Sequence, residues 1–196
     1  MRIRFRHNKV LARTLETERF ILKPMGNLET FRMTDSWRSD PAILEGVMYA
    51  ANQSRLEWLR RGPFPDNVTR FTFAIIPKGT DKAIGLHSIK LYAPRSARNM
   101  VGLHDRDWWG KDVVVEVRAR LMNHFFRHAD VDRFCGATVS RNMPSVFNYQ
   151  RLGYDHVGTQ HRDRVNPLTG EVVDLLLFEM FRDKWKRGPF AEGLDD

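Results

Sequence analysis

The chain has 196 residues, 42% hydrophobic and 29% charged. That is enough for one domain with its own core, and it excludes a disordered chain. A net charge of +8 favours acidic partners in general terms (a phosphorylated cofactor, nucleic acid, the ribosome, an acidic peptide) without choosing among them. The one cysteine, Cys135 in the apolar "RFCGATV", excludes an intramolecular disulfide and a CxxC-type zinc site, and reads as a buried structural thiol. The basic N-terminus lacks the apolar core of a signal peptide, and no apolar run reaches membrane-spanning length. A soluble cytoplasmic protein with no membrane partner is the expectation.

Arg2, Arg4, Arg6, Lys9 and Arg13 make residues 1–14 a basic N-terminal arm, read as solvated. "RFILKPM" reads as a short strand stopped by Pro24. "NLETFRMTDSWR" reads as a helix with Asn27 as N-cap and Leu28, Phe31 and Trp37 on one face. "SDP", residues 39–41, breaks it, and "NQSRLEWLRR" is a second short helix. From Thr69 the period changes: "RFTFAIIP", "AIGLHSIKLY" and "NMVGLH" read as an antiparallel meander. "KDVVVEVRARLMNHFFRHA" then puts Val114, Val117, Leu121, Phe125 and Ala129 on a helical stripe. "RFCGATV" is again a strand. "MPSVFNYQRLG" is a helix with Pro144 in its first turn and Gly153 at its end. "YDHVGTQHR" and "VVDLLLFEMF" close the chain as two strands around "NPLTG". Residues 15–186 thus form one α+β domain followed by a tail, 187–196. The strand–helix alternation in its second half predicts one parallel strand pair joined by a crossover helix.

Four segments, in order, resemble the GNAT superfamily of acyl-CoA-dependent N-acyltransferases, in particular the branch of ribosomal-protein N-terminal acetyltransferases. They are "LETERFILKPM", "SDP", "DRDWWGKDVVVEV" and "SRNMPSVFNYQRLGY", with Asp174 before "LLLFEMFRDKW" following the same branch. The resemblance spans about residues 15–186. It implies a mixed central sheet, an antiparallel meander plus a parallel pair splayed around the cofactor, flanked by helices. It also implies acetyl-CoA as co-substrate, and an amine acceptor that is a small molecule or a protein N-terminus. The protein would act as a monomer or homodimer.

A helix N-terminus offers unpaired N–H groups and the positive end of a dipole, so a pyrophosphate can dock there. By resemblance, the cradle involves Trp109, Gly110, Lys111, Asp112 and Val113. Asp112 departs from the pattern: a carboxylate stands where an anion must approach, and it could instead cap the helix through the N–H groups of Val114 or Val115. In the late motif the resemblance gives Asn142 to the cofactor's pantetheine arm, Ser145 to the neighbourhood of the thioester, and Tyr149 to protonation of the departing thiolate. A phenol suits that last role because its proton is held at neutral pH yet can be shared with a developing anion. The oxyanion donor is expected among the backbone N–H groups of residues 101–104. His104 is the preferred base by location and intrinsic pKa, with His87, Asp105 and Glu116 as further proton acceptors. No metal site is expected, since the histidines lack ligand spacing. Asp112 leaves two alternatives open: another acyl donor, or a repurposed domain that binds protein, RNA or the ribosome through basic surface.

Overall fold

The computed structural model describes residues 8–47, 54–166 and 168–194. Runs of alternating or continuous branched and aromatic residues supply eight strands: β1 (Leu15–Glu16), β2 (Phe20–Pro24), β3 (Arg70–Pro77), β4 (Gly85–Tyr92), β5 (Ser96–Leu103), β6 (Arg133–Val139), β7 (Asp155–Val165) and β8 (Val172–Phe181). They form one sheet in the order β1-β2-β3-β4-β5-β6-β8-β7. Among the described residues every neighbouring pair is antiparallel except β5–β6, which is parallel. A parallel pair needs a long crossover, and α4 (Val113–His128) supplies it. The other helices are α1 (Asn27–Thr34), α2 (Pro41–Val47), α3 (Arg55–Arg61), α5 (Met143–Arg151) and α6 (Arg182–Lys186). The expected α+β fold with a mixed sheet is the one observed.

Each face of the sheet has its own core. On one face α4 buries Val113, Val115, Val117, Leu121, Met122, Phe125 and Phe126 against Phe71, Phe73, Ile75 and Ile89 of β3 and β4. The buried surface of α4 is wider than the single stripe the sequence suggests, because β6 and both ends of the chain also cover it. On the opposite face Trp37, Ile43 and Trp58 close over Ala74 and Leu86. Trp37 packs closely on the backbone of β5: a Cβ added at Gly102 would come within 2.6 Å of its ring. Trp58 donates its indole N–H to the Thr34 hydroxyl at 2.9 Å.

Several local expectations need correction. Asn27 is the first residue of α1, not its cap; Gly26 precedes the helix, and its N–H donates to the Glu29 carboxylate at 2.9 Å. Leu28 is 61% exposed, so the buried side of α1 is formed by Thr30 and Thr34 instead. "SDP" does more than end a helix. The Asp40 carboxylate accepts the Ala42 N–H at 3.0 Å and starts α2, an element the sequence reading did not anticipate. Cys135 is half-buried rather than buried. Asn52, Gln53 and Pro167, which the sequence places in the second helix and the last turn, lie outside the described residues, as do Arg2, Arg4 and Arg6.

Among the described residues, the segments 8–14 and 187–194 contribute to the core, so these parts are not appendages to the domain at 15–186. Leu11 is 2% and Leu194 6% exposed. His124 of α4 bonds the Leu11 carbonyl at 3.3 Å. The neighbouring Asn123 donates to the Phe190 carbonyl at 2.8 Å and accepts from the indole of Trp185 at 2.6 Å. No helix among the described residues is long and apolar enough to cross a membrane.

Burial lowers the pKa of His124 from 6.5 to about 4, against the opposing hydrogen bond to Leu11 and with the help of nearby His128 and arginines. His87, fully buried and close to Arg118, is lowered as well. A histidine whose folded pKa lies below its unfolded value contributes fully above the unfolded value. That contribution is lost as pH falls from about 6.5 towards the folded pKa. The midpoint of urea unfolding should therefore decline across this window, and His124→Gln should flatten the decline. An unchanged slope in the variant would assign the loss to other groups.

Candidate active site

β5 and β6 hold together at only three positions, Ser96 with Arg133, Ala97 with Phe134 and Arg98 with Cys135. Beyond these the strands part. From Asn99 onward β5 is bonded only to β4, which leaves alternate backbone N–H groups facing the gap. A cavity of about 450 Å³ fills the opening, lined by Val101, Gly102 and Leu103 of β5 and Val139 of β6. Its rim is Trp109 and Gly110 before α4, Val114 in its first turn, and Asn142, Ser145 and Asn148 of α5. A second cavity, about 650 Å³, lies along the β5–β6 gap beside it, and the two share Gly46 and Val139.

The loop before α4 is built to stay open. Trp109 is anchored by its indole N–H to the Leu103 carbonyl at 3.1 Å. Gly110 has φ +73°, and the space where a side chain would stand is empty. Asp112 is left-handed, with φ 58°, which takes its carboxylate out of capping position, and no side chain caps α4. The expected cap through Val114 or Val115 is therefore absent. The carboxylate pairs instead with Arg151 at the end of α5. The first-turn N–H groups of α4 thus keep their donor capacity, and a cation stands beside the carboxylate. This geometry fits a pyrophosphate. Three of the expected cradle residues do not line the cavity. The ammonium of Lys111 lies 5.6 Å from the ring centroid of Trp108, while its carbonyl accepts from Arg19. Val113 is 1% exposed in the core, and Asp112 is held by Arg151.

Asn142 is the N-cap of α5. Its Oδ1 accepts the Ser145 N–H at 3.2 Å, while its amide donates to the Gly46 carbonyl at 3.2 Å and ties α5 to α2. Ser145 faces the same cavity. Tyr149, one turn further along, is 3% exposed and lines neither cavity. Its ring stacks on Phe178 at 4.7 Å, under the guanidinium of Arg118 at 4.6 Å. A Cβ at Gly136 would lie 2.8 Å from the Tyr149 hydroxyl oxygen. Gly136 is the first β6 residue beyond the last β5–β6 pair, so the hydroxyl sits at the root of the gap. It makes no hydrogen bond among the described residues, whereas the hydroxyl of Tyr154 is engaged by Asn99 and Met122.

The other proton acceptors named from the sequence are occupied elsewhere. His104 packs on Trp37 at 6.3 Å, outside both cavities; burial lowers its pKa, with Asp105 opposing. His87 is fully buried. Asp105 accepts the Asp107 N–H at 3.2 Å. Glu116 accepts from the backbone and guanidinium of Arg19, the latter at 2.7 Å. Partial burial pushes its carboxyl up, but bonds from Thr17 and Arg19 outweigh this and leave it below the usual glutamate value. The structure instead brings Glu45 of α2 to the first cavity, with Oε1 accepting from Asn166 at 3.2 Å. Among the described residues it is the only carboxylate lining either cavity. Nothing in the sequence marks it except the Asp40 cap that starts its helix. Among the described residues, no group of three or more His, Cys, Asp or Glu side chains is placed to hold a metal ion.

The chain is similar to known proteins in sequence and in fold. The acetyltransferase (GNAT) domain family matches residues 19–155, more than half of the chain. An uncharacterized N-acetyltransferase p20 of Bacillus licheniformis is 24% identical over 179 residues, covering 88% of this chain and 98% of that protein. Among solved structures, RimL, the ribosomal L7/L12 alpha-N-protein acetyltransferase in complex with coenzyme A, superposes with a TM-score of 0.71. It is 16% identical, over 87% of this chain and 99% of that one. Spermidine N-acetyltransferase from Vibrio cholerae in complex with CoA and spermine also gives 0.71, at 17% identity over 85% and 97%. Those structural likenesses concern the fold, while the family match extends over the loop, α4 and α5 that build the cavity. On that match the chain belongs to the GNAT acetyltransferase family.

Proposed function

We propose that this enzyme transfers an acetyl group from acetyl-CoA to a primary amine by direct attack. The observation that carries this reading is the uncapped N-terminus of α4 opening onto the parted β5–β6 edge, with the Asp112 carboxylate held by Arg151. Donor N–H groups for a pyrophosphate and donor N–H groups for a carbonyl oxygen then face one cavity. Both relatives crystallised with coenzyme A support this donor. The ion pair also answers the reason for considering another acyl donor, which was an unopposed charge at residue 112.

Acetyl-CoA supplies the activated acyl carbon: the amine nitrogen forms the new C–N bond as the C–S bond breaks, giving an amide and a thiol. Asn142 and Ser145 line the cavity along the path of the pantetheine arm, with Trp109 and Gly110 at the pyrophosphate end. A β5 N–H among residues 101–103 receives the developing oxyanion; that of His104 is already bonded to Ile84. Tyr149, at the root of the gap, gives its proton to the departing sulfur and regains one from the nitrogen of the tetrahedral adduct as the amide forms. Glu45, at the end of the cavity shared with the second one, takes the proton that the ammonium form of the acceptor must lose. It replaces His104 in that role.

Three outcomes test this reading. Arg151→Gln should weaken acetyl-CoA binding several-fold, since an unpaired charge near a phosphate costs about 1 kcal/mol in water at ~4 Å. Asp112→Gly added to that variant should restore the affinity; calorimetry of the four-member cycle decides, and an unaffected Arg151→Gln would remove the pair from the cradle. Tyr149→Phe should lower turnover by ~10- to 1000-fold while acetyl-CoA affinity stays nearly intact. Wild-type turnover would return Tyr149 to a packing role. Glu45→Gln should reduce kcat/KM for the amine by ~10- to 100-fold and abolish the acidic limb of its pH profile. A variant that keeps that limb would exclude Glu45 as base.

A further inference from the structure

The second cavity carries an unusual charge pattern. Arg70 of β3 pairs directly with Lys90 of β4, and Lys90 directly with Arg98 of β5. Directly opposed residues share a face of the sheet, with side chains close together. Three cations thus stand in one row across three neighbouring strands, all lining this cavity, and Arg61 and Arg164 line it too. No Asp or Glu lines it among the described residues. Nor does any of the three form an ion pair among those residues, although twelve other pairs are present. Their contacts are weaker: Arg70 donates to the Gly62 carbonyl, while Lys90 and Arg98 lie over the ring of Tyr92 at 5.0 and 5.8 Å.

Like charges facing each other across strands oppose sheet formation, so the row costs stability unless an anion fills it. The cavity is ligand-sized, and it adjoins the acetyl-transfer cavity, with Gly46 and Val139 lining both and Glu45 next in sequence to Gly46. We propose that the acceptor is a small amine carrying a phosphate group, its phosphate held by Arg70, Lys90 and Arg98 and its amine directed to the shared end. This rests on the acetyltransferase reading of the first cavity. Two guanidinium forks and one ammonium form a set of donors matched to a phosphoryl group's several oxygens. The same row repels a polyamine, whose cations would meet three others.

The test is calorimetric titration of the CoA-saturated protein with four probes: O-phosphoethanolamine, ethanolamine, spermidine, and an Asp/Glu-rich peptide with a free N-terminus. Saturation with CoA keeps phosphate from the loop before α4. O-phosphoethanolamine should bind at least about tenfold more tightly than ethanolamine, as expected for charge-assisted hydrogen bonds, and spermidine should bind least. In Lys90→Gln/Arg98→Gln this preference should fall to within about threefold, and each single variant should show an intermediate loss. Thermal unfolding of the ligand-free double variant should occur at the same or a higher temperature than wild type, because like charges have been removed. Equal binding of the two ethanolamines, or a preference that survives in the variants, would overturn the proposal. So would tighter binding of spermidine, and tighter binding of the acidic peptide would assign the row to a protein substrate. If coenzyme A itself fails to bind, the acetyltransferase reading falls separately. The same probes titrated into the free protein and its variants would then still judge the row.

Discussion

The parting of β5 and β6 is the constraint on which the rest of the molecule depends. Three paired positions hold the strands together, and the cores on the two sheet faces hold them apart beyond that point. α4 and α5 occupy one face, Trp37 the other. A parallel pair closed along its length would satisfy every backbone group and leave no cavity. The open pair leaves β5 donors unsatisfied along one edge, and a folded protein tolerates such donors only where water or a ligand can reach them. The cavity at the gap is therefore a consequence of strand pairing, and the residues around it adjust a site that the backbone already defines.

Glycines appear where neighbouring rings need the space. Gly102 admits Trp37 against β5, and Gly136 admits the ring of Tyr149 against β6. These two lie on the two strands that separate. The aromatic rings press on the strands where their pairing has ended, so packing energy supports the opening from both sides. Arg118 adds a buried guanidinium over Tyr149, with its Nε and one terminal nitrogen unbonded among the described residues. The ring is thus held by Phe178 on one side and a cation on the other.

Much of this was legible in the sequence. The meander, the crossover helix, the Pro144 helix start and the Gly153 stop follow from periodicity and punctuation, and the order of motifs gave the family. The loop before α4 was legible as a location but not as an arrangement. A left-handed backbone at Asp112 and a partner thirty-nine positions later in Arg151 are tertiary facts that no local pattern carries. Glu45 was missed for a similar reason: it stands in a short helix with little periodicity, and only the fold brings it to Asn142 and Asn166. His104 falls just past the end of β5, where its ring packs on Trp37, and it lines neither cavity.

The hold of α4 on the described N- and C-terminal segments has a consequence for connectivity. Residues 123 and 124, side by side on one helix, grip the C-terminal and N-terminal segments respectively. The segments around Leu11 and Phe190 are therefore fastened to one stretch of α4, at the end opposite the loop that precedes it. A covalent linker joining those two segments would close a ring without crossing either cavity, since neither segment lines one. The break could then be moved to an exposed hairpin such as the one around Gly79, where the chain turns in solvent. In such a permuted protein the order of synthesis would change while the gap between β5 and β6 would not, since nothing that opens it depends on where the chain begins.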